Sequence, residues 1–142
     1  MDRTSEAKWT GDLKTGKGTV KLGSGAYDGQ YSFTSRFENG VGTNPEELIA
    51  AAHSACFSMA LNAALGRAGK QPTSITTTAT VHITKGDAGF GISGITLTTR
   101  GVVPGITAEE FRKAAEDTKT GCIVSKALSA VPMTLDAQLV AG

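Results

Sequence analysis

Two cysteines are the residues of this sequence with the most distinctive chemistry: Cys56, inside IAAAHSACFSMAL, and Cys122, directly after Gly121 in TGCIVSKAL. A thiol reacts as its thiolate, which needs a nearby cation or helix dipole and an open path for substrate. Without these, free cysteine behaves as a small buried hydrophobe. For Cys56 the candidate cations are His53, three residues earlier, and five arginines: Arg3, Arg36, Arg67, Arg100 and Arg112. Arginine suits the role better because it stays charged when desolvated, but the pattern does not choose among the five. His53 itself reads as a hydrogen-bonded core residue. Cys122 opens a short helix, where unpaired backbone N–H groups can stabilise a sulfur anion.

Other chemistries find less support. The two cysteines and two histidines (His53 and His82) lack close ligand spacing, and there is no Cys-x-x-Cys, so no metal site is expected. No local signature of a papain-like or caspase-like hydrolase surrounds either cysteine, which leaves a cysteine hydrolase using His53 as a weak alternative. The glycines are scattered at turns and build no phosphate-cradling loop before a helix.

The elements that must position these residues can be read from the rest of the chain. Its 142 residues fit a single domain spanning 1–142. Fourteen Lys and Arg against 13 Asp and Glu leave a net charge of +1 with no basic run, which speaks against nucleic acid as a partner. The segment 1–18 contains no apolar h-region, so a secretory signal is not expected. The apolar stretch 48–65 is interrupted by His53, Ser54, Ser58 and Asn62, so no membrane span is expected. The expected location is the cytoplasm, where structural disulfides are rare and two cysteines therefore raise a question of reactivity.

Segments 6–13 and 17–22 read as short strands. Segment 30–37 alternates Tyr31, Phe33, Ser35 and Phe37 against Gln30, Ser32, Thr34 and Arg36, the pattern of another strand. Asn44 as N-cap, Pro45 at the first helical position and Glu47 as capping-box partner then predict a long helix to about Leu65, stopped by Gly66 and Gly69. Strands follow at 74–85 and 91–103. A helix capped by Thr107 with Glu110 runs to about Gly121, a short helix covers 122–130, and a closing strand covers 132–140. This order predicts an α+β fold, mostly antiparallel, built around a long central helix bearing Cys56. At 100° per residue, Ile49, Ala52, Met59, Ala60 and Ala63 lie within about 60° of Cys56, which assigns Cys56 to the packed apolar face.

The runs TNPEELIAAAHSACFSMAL (43–61) and GCIVSKAL (121–128), with KWTGDLKTGKGTV and TSRFENGVGTNPEEL, resemble the osmotically inducible protein C family. That family also contains the organic hydroperoxide resistance proteins, and EELIAAAHSACFSMAL is more similar to the osmotically inducible branch. The resemblance implies a cofactor-free thiol peroxidase acting on organic hydroperoxides and regenerated by an external dithiol of the lipoyl type. It implies an interleaved homodimer with two active sites at its interface. By the same resemblance Cys56 matches the peroxidatic cysteine, Cys122 the resolving cysteine, Arg36 the arginine that holds the thiolate, and Glu46 the glutamate that orients that arginine. Glu46 lies about 15 Å along the helix from Cys56, which leaves open a bridging Arg36 side chain, a bent helix or a carboxylate from the other subunit. Ile123 stands where the family usually has proline after its second cysteine. A rival of another class is a non-catalytic dimeric binding module for an apolar ligand.

Overall fold

The computed structural model describes all 142 residues, and their contacts divide the chain into two compact units, residues 1–48 and 49–142.

In the first unit, β1 (Ser5–Thr10), β2 (Lys17–Leu22) and β3 (Asp28–Tyr31) form an antiparallel meander in the order β1-β2-β3. The Asp12 carboxylate holds the first turn by accepting the backbone N–H groups of Lys14 and Thr15 at 2.9 and 3.0 Å. Trp9 and Tyr31 pack their rings across the sheet with centroids 5.5 Å apart.

The strand expected over 30–37 is corrected here. β3 ends at Tyr31, and the chain turns into a short helix, α1 (Phe33–Phe37). Ser32 caps it: its hydroxyl accepts the Ser35 N–H at 3.1 Å, while the Ser35 hydroxyl accepts the Ser32 N–H at 2.8 Å. Phe33 and Phe37 fit an alternating pattern, but they also lie four apart. On a helix that spacing brings them into contact, with ring centroids 5.1 Å apart and planes tilted by 50°.

α1 is pinned to the start of the next helix. The Ser35 hydroxyl donates to the Thr43 carbonyl at 2.7 Å, and the Asn44 side-chain amide donates to the Ser35 carbonyl at 3.1 Å. Gly42 makes the intervening turn at φ 121°, a conformation that side-chain-bearing residues rarely adopt.

α2 (Pro45–Arg67) begins as its sequence predicts, with Asn44 accepting the Glu47 N–H at 2.8 Å. The reciprocal half of the capping box does not form. Glu47 turns its carboxylate to the Thr43 hydroxyl, 2.6 Å away. By length and composition α2 is apolar enough to cross a membrane. Within the fold, however, Ser58 bonds Thr77 at 2.9 Å and His53 bonds Ser125 at 2.8 Å, tying the helix to the protein's own polar groups.

In the second unit, β4 (Ser74–Gly86) and β5 (Gly89–Val102) form a long antiparallel hairpin, and β6 (Met133–Leu139) joins β5 in parallel. The parallel pairing requires a crossover, supplied by α3 (Ala108–Gly121) and α4 (Ile123–Ala127). Thr107 and Glu110 form the full capping box that starts α3. Three of the four strand pairings are antiparallel, so the fold is α+β. Phe57, Leu61 and Leu65 of α2 pack with Ile95 and Leu97 of β5 and with Phe111 and Ala115 of α3 to form the core. Gly101 of β5 lets the Phe111 ring lie against the strand; a Cβ there would strike the ring.

Candidate functional site

The face of α2 that packs is set by its large side chains. His53, Phe57, Leu61 and Leu65 recur every four residues and are all buried. Cys56 sits at the edge of that stripe, half-buried. Its flanking face, Ala52, Met59 and Ala63, is exposed, with Met59 76% exposed. The expectation that Cys56 belongs to the packed face is therefore corrected. Alanine is apolar but small, and burial follows volume, so Phe57, Leu61 and Leu65 take the core while Ala52 and Ala63 stay outside. A thiol at the edge of a packed helix face, beside an open apolar surface, is positioned for contact with an apolar substrate.

Cys122 is buried, and the two thiols are unbridged. It ends α3 and caps α4: its sulfur accepts the Ser125 N–H at 3.3 Å, and its thiol donates to the Ser125 hydroxyl, also at 3.3 Å. The Ser125 hydroxyl lies 2.8 Å from His53 Nε2. Cys122, Ser125 and His53 thus form a continuous buried chain of hydrogen bonds from α4 to α2, all within the second unit.

His53 is fully buried, and desolvation pushes its imidazole below the ordinary value of 6.5, which favours the neutral ring. Its Nδ1 has no hydrogen-bond partner, a cost of about 1–3 kcal/mol for a buried polar atom. His53 is thus a hydrogen-bonded core residue, and its partner is Ser125. The sequence signal for that partner is Cys122-x-x-Ser125, a cap followed by a polar residue at its third helical position.

The other pair of candidates meets in the first unit. Arg36 Nε lies 3.1 Å from both Glu46 oxygens, and Nη2 lies 2.6 Å from Oε1. The Glu46 side chain is 8% exposed and the Arg36 side chain 40%. The hydrogen bonds to Glu46 raise the guanidinium above its usual range. The guanidinium also lies 5.1 Å from the centre of the Phe37 ring. The fork is fixed from one side by a buried carboxylate, which restricts how the rest of the guanidinium can be presented. Glu46 is thus the glutamate bound to Arg36, while the adjacent Glu47 serves the helix start. No three His, Cys, Asp or Glu side chains gather in an arrangement that could hold a metal ion.

A family model described as OsmC-like protein matches residues 37–136. The chain is 54% identical over 140 residues to Peroxiredoxin OsmC of Escherichia coli strain K12, covering 98% of this chain and 97% of the relative. Among solved structures, an organic hydroperoxide resistance protein from Elizabethkingia anophelis superposes with a TM-score of 0.74 at 30% identity, covering 96% of both chains. The organic hydroperoxide resistance protein OhrB of Bacillus subtilis shares the fold, with a TM-score of 0.74 at 23% identity over 95% of this chain and 98% of its own.

Proposed function

The chain belongs to the OsmC-like protein family, and from that premise we propose how its own residues carry the family's chemistry. The protein is a cysteine-based thiol peroxidase of oxidative-stress defence. In our reading its substrate is an organic hydroperoxide, and Cys56 is the attacking thiolate. Cys56 displaces the alcohol from the distal oxygen of ROOH, a proton from solvent completes ROH, and the cysteine is left as a sulfenic acid. Cys122 then attacks the Cys56 sulfur. The S–O bond breaks, a Cys56–Cys122 disulfide forms and water leaves. An external dithiol, for which a lipoyl-type carrier is the candidate, reopens the disulfide by two exchanges and is itself oxidised to a disulfide.

The observation that carries this reading is that one compact unit holds two unbridged thiols, one half-buried and one buried. The half-buried thiol can meet a peroxide in solvent. The buried thiol, 2% exposed, is shielded from that peroxide. Arg36 is the proposed electrostatic partner of the Cys56 thiolate, and Glu46 positions it. The exposed apolar surface around Met59 suits the organic part of the substrate.

The exposed face of α2 and exposed Ile123 also give a second copy of the chain an apolar surface to cover, in line with a homodimer. The full 142 residues act as one functional unit in this account, and the proposed location is the cytoplasm. Two variants test the sequence of steps. Cys56→Ser abolishes consumption of cumene hydroperoxide, while Cys122→Ser consumes about one equivalent and then stalls or overoxidises. Full turnover by Cys56→Ser overturns the mechanism.

A further inference from the structure

The hydrogen-bond chain behind Cys122 has no part in holding the peroxide or the first thiolate, yet it buries three polar side chains in a row. The Cys122 thiol is 3.3 Å from Ser125 Oγ, and Ser125 Oγ is 2.8 Å from His53 Nε2. All three residues are buried, and His53 has no solvent exposure. A serine hydroxyl can accept one hydrogen bond and donate another, so it can pass a proton between a sulfur and an imidazole without moving. We propose that Ser125 and His53 form a proton relay that takes up the Cys122 thiol proton as the resolving disulfide forms.

In the resting state the direction of the bonds is Cys122 S–H to Ser125 Oγ, and Ser125 O–H to His53 Nε2. When Cys122 attacks, its proton passes to Ser125 Oγ, and the Ser125 proton passes to His53 Nε2. The Cys122 and Cys56 sulfurs become bonded, the Cys56 S–O bond breaks, and hydroxide leaves. The imidazolium returns its proton through the same serine to the departing hydroxide by way of solvent, and the products are disulfide and water. Cys122 sulfur is oxidised and Cys56 sulfur is reduced by equal amounts, so no further oxidant is needed.

Two features of the site favour this role. Burial keeps His53 neutral at rest, so Nε2 is available as an acceptor. The unpartnered Nδ1 means that no carboxylate locks the ring as an imidazolium, and a proton received at Nε2 is readily given back. Lys119 of α3 and Lys126 of α4 line a cavity together with Ser125, and Lys119 is paired with Glu116 of α3 at 3.3 Å. Ser125 touches the reacting sulfur, whereas His53 acts through it as a positioning and proton-holding residue.

The inference rests on Cys122 being the resolving cysteine, and the test separates the two claims. The reduced full-length protein is mixed with one equivalent of cumene hydroperoxide, quenched over time and resolved by mass spectrometry into sulfenic acid and disulfide. His53→Gln keeps an acceptor for the Ser125 hydroxyl but cannot take a proton. The relay predicts that sulfenic acid forms at the unaltered rate while disulfide formation slows about a hundredfold at neutral pH. It also predicts that raising the pH restores the slow step, because solvent hydroxide then replaces the relay.

Ser125→Ala, which breaks the chain at its middle, gives the same separation and serves if His53→Gln fails to fold. Disulfide formation at the wild-type rate in either folded variant overturns the relay. A slow step that no alkaline pH restores also overturns it, because that marks a purely structural role. If the wild-type protein itself forms sulfenic acid but never a disulfide, the assignment of Cys122 fails, and the relay fails with it.

Discussion

Arg36 and Glu46 meet through three nitrogen–oxygen contacts of 2.6 to 3.1 Å, with the carboxylate buried and the guanidinium partly open to solvent. They come together because β3 stops at Tyr31. The turn of α1 and the loop through Gly42 then carry Arg36 back to the first turn of α2. A carboxylate that spends its oxygens on one side of the guanidinium orients a cation whose remaining N–H groups are free for an anion.

This pair predicts a non-additive mutant cycle. Arg36→Ala slows the first step, hydroperoxide consumption at limiting substrate, by about a hundredfold, the scale of losing one preorganised electrostatic partner. Glu46→Gln keeps the shape but loosens the fork, and costs roughly tenfold. The double variant is no slower than Arg36→Ala alone, because Glu46 acts only through the arginine. Stopped-flow rates of the four proteins check this, and additive losses give Glu46 a separate role. The pair adds little to folding stability, since a half-exposed guanidinium is screened by solvent.

His53 predicts how stability depends on pH. Its folded imidazole is held below the ordinary 6.5 by burial, so between the two values the unfolded chain binds the extra proton. Stability from this residue is therefore complete above about pH 6.5 and falls as the pH drops towards the lowered folded value. Asp136, Asp12 and Glu110 are held below the ordinary carboxylate values by hydrogen bonds from Arg100, Thr15 and Thr107 and act at lower pH. Urea midpoints at pH 7.5 and pH 5.5 check the sign. The wild-type midpoint is lower at pH 5.5, and the difference shrinks in His53→Gln. An unchanged difference in the variant removes His53 as its source.

Much of this was legible in the sequence because it depends on local signals. Asn44, Pro45, Thr107 and Glu110 start α2 and α3 where capping chemistry says they should. The β4–β5 hairpin follows from its runs of Thr, Ile and Val. What failed was decided by packing between distant segments. Phe33 and Phe37 suit either period, and the Ser32–Ser35 cap together with the ring contact settles for helix. The orientation of Cys56 depends on Phe57, Leu61 and Leu65 filling the core, which an alanine-rich pattern masks. Ser125 gains its meaning only when α4 is laid beside His53, 72 residues earlier in the chain.

The exposed face of α2 predicts a dimer. Met59 and Ile123, 76% and 79% exposed, leave an apolar surface for a second copy to cover. Sedimentation velocity at micromolar concentration gives about twice the chain mass of 14.6 kDa, and Met59→Glu shifts the population towards monomer. A wild-type protein that sediments as a monomer removes the dimer from the account.

The most direct measurement counts thiols before and after one equivalent of cumene hydroperoxide is added to the reduced protein, and then maps its peptides. The account predicts the loss of both thiols and a peptide pair joined through Cys56 and Cys122. Two thiols still titrating after the peroxide is added, or an oxidised Cys56 that never becomes joined to Cys122, would contradict it.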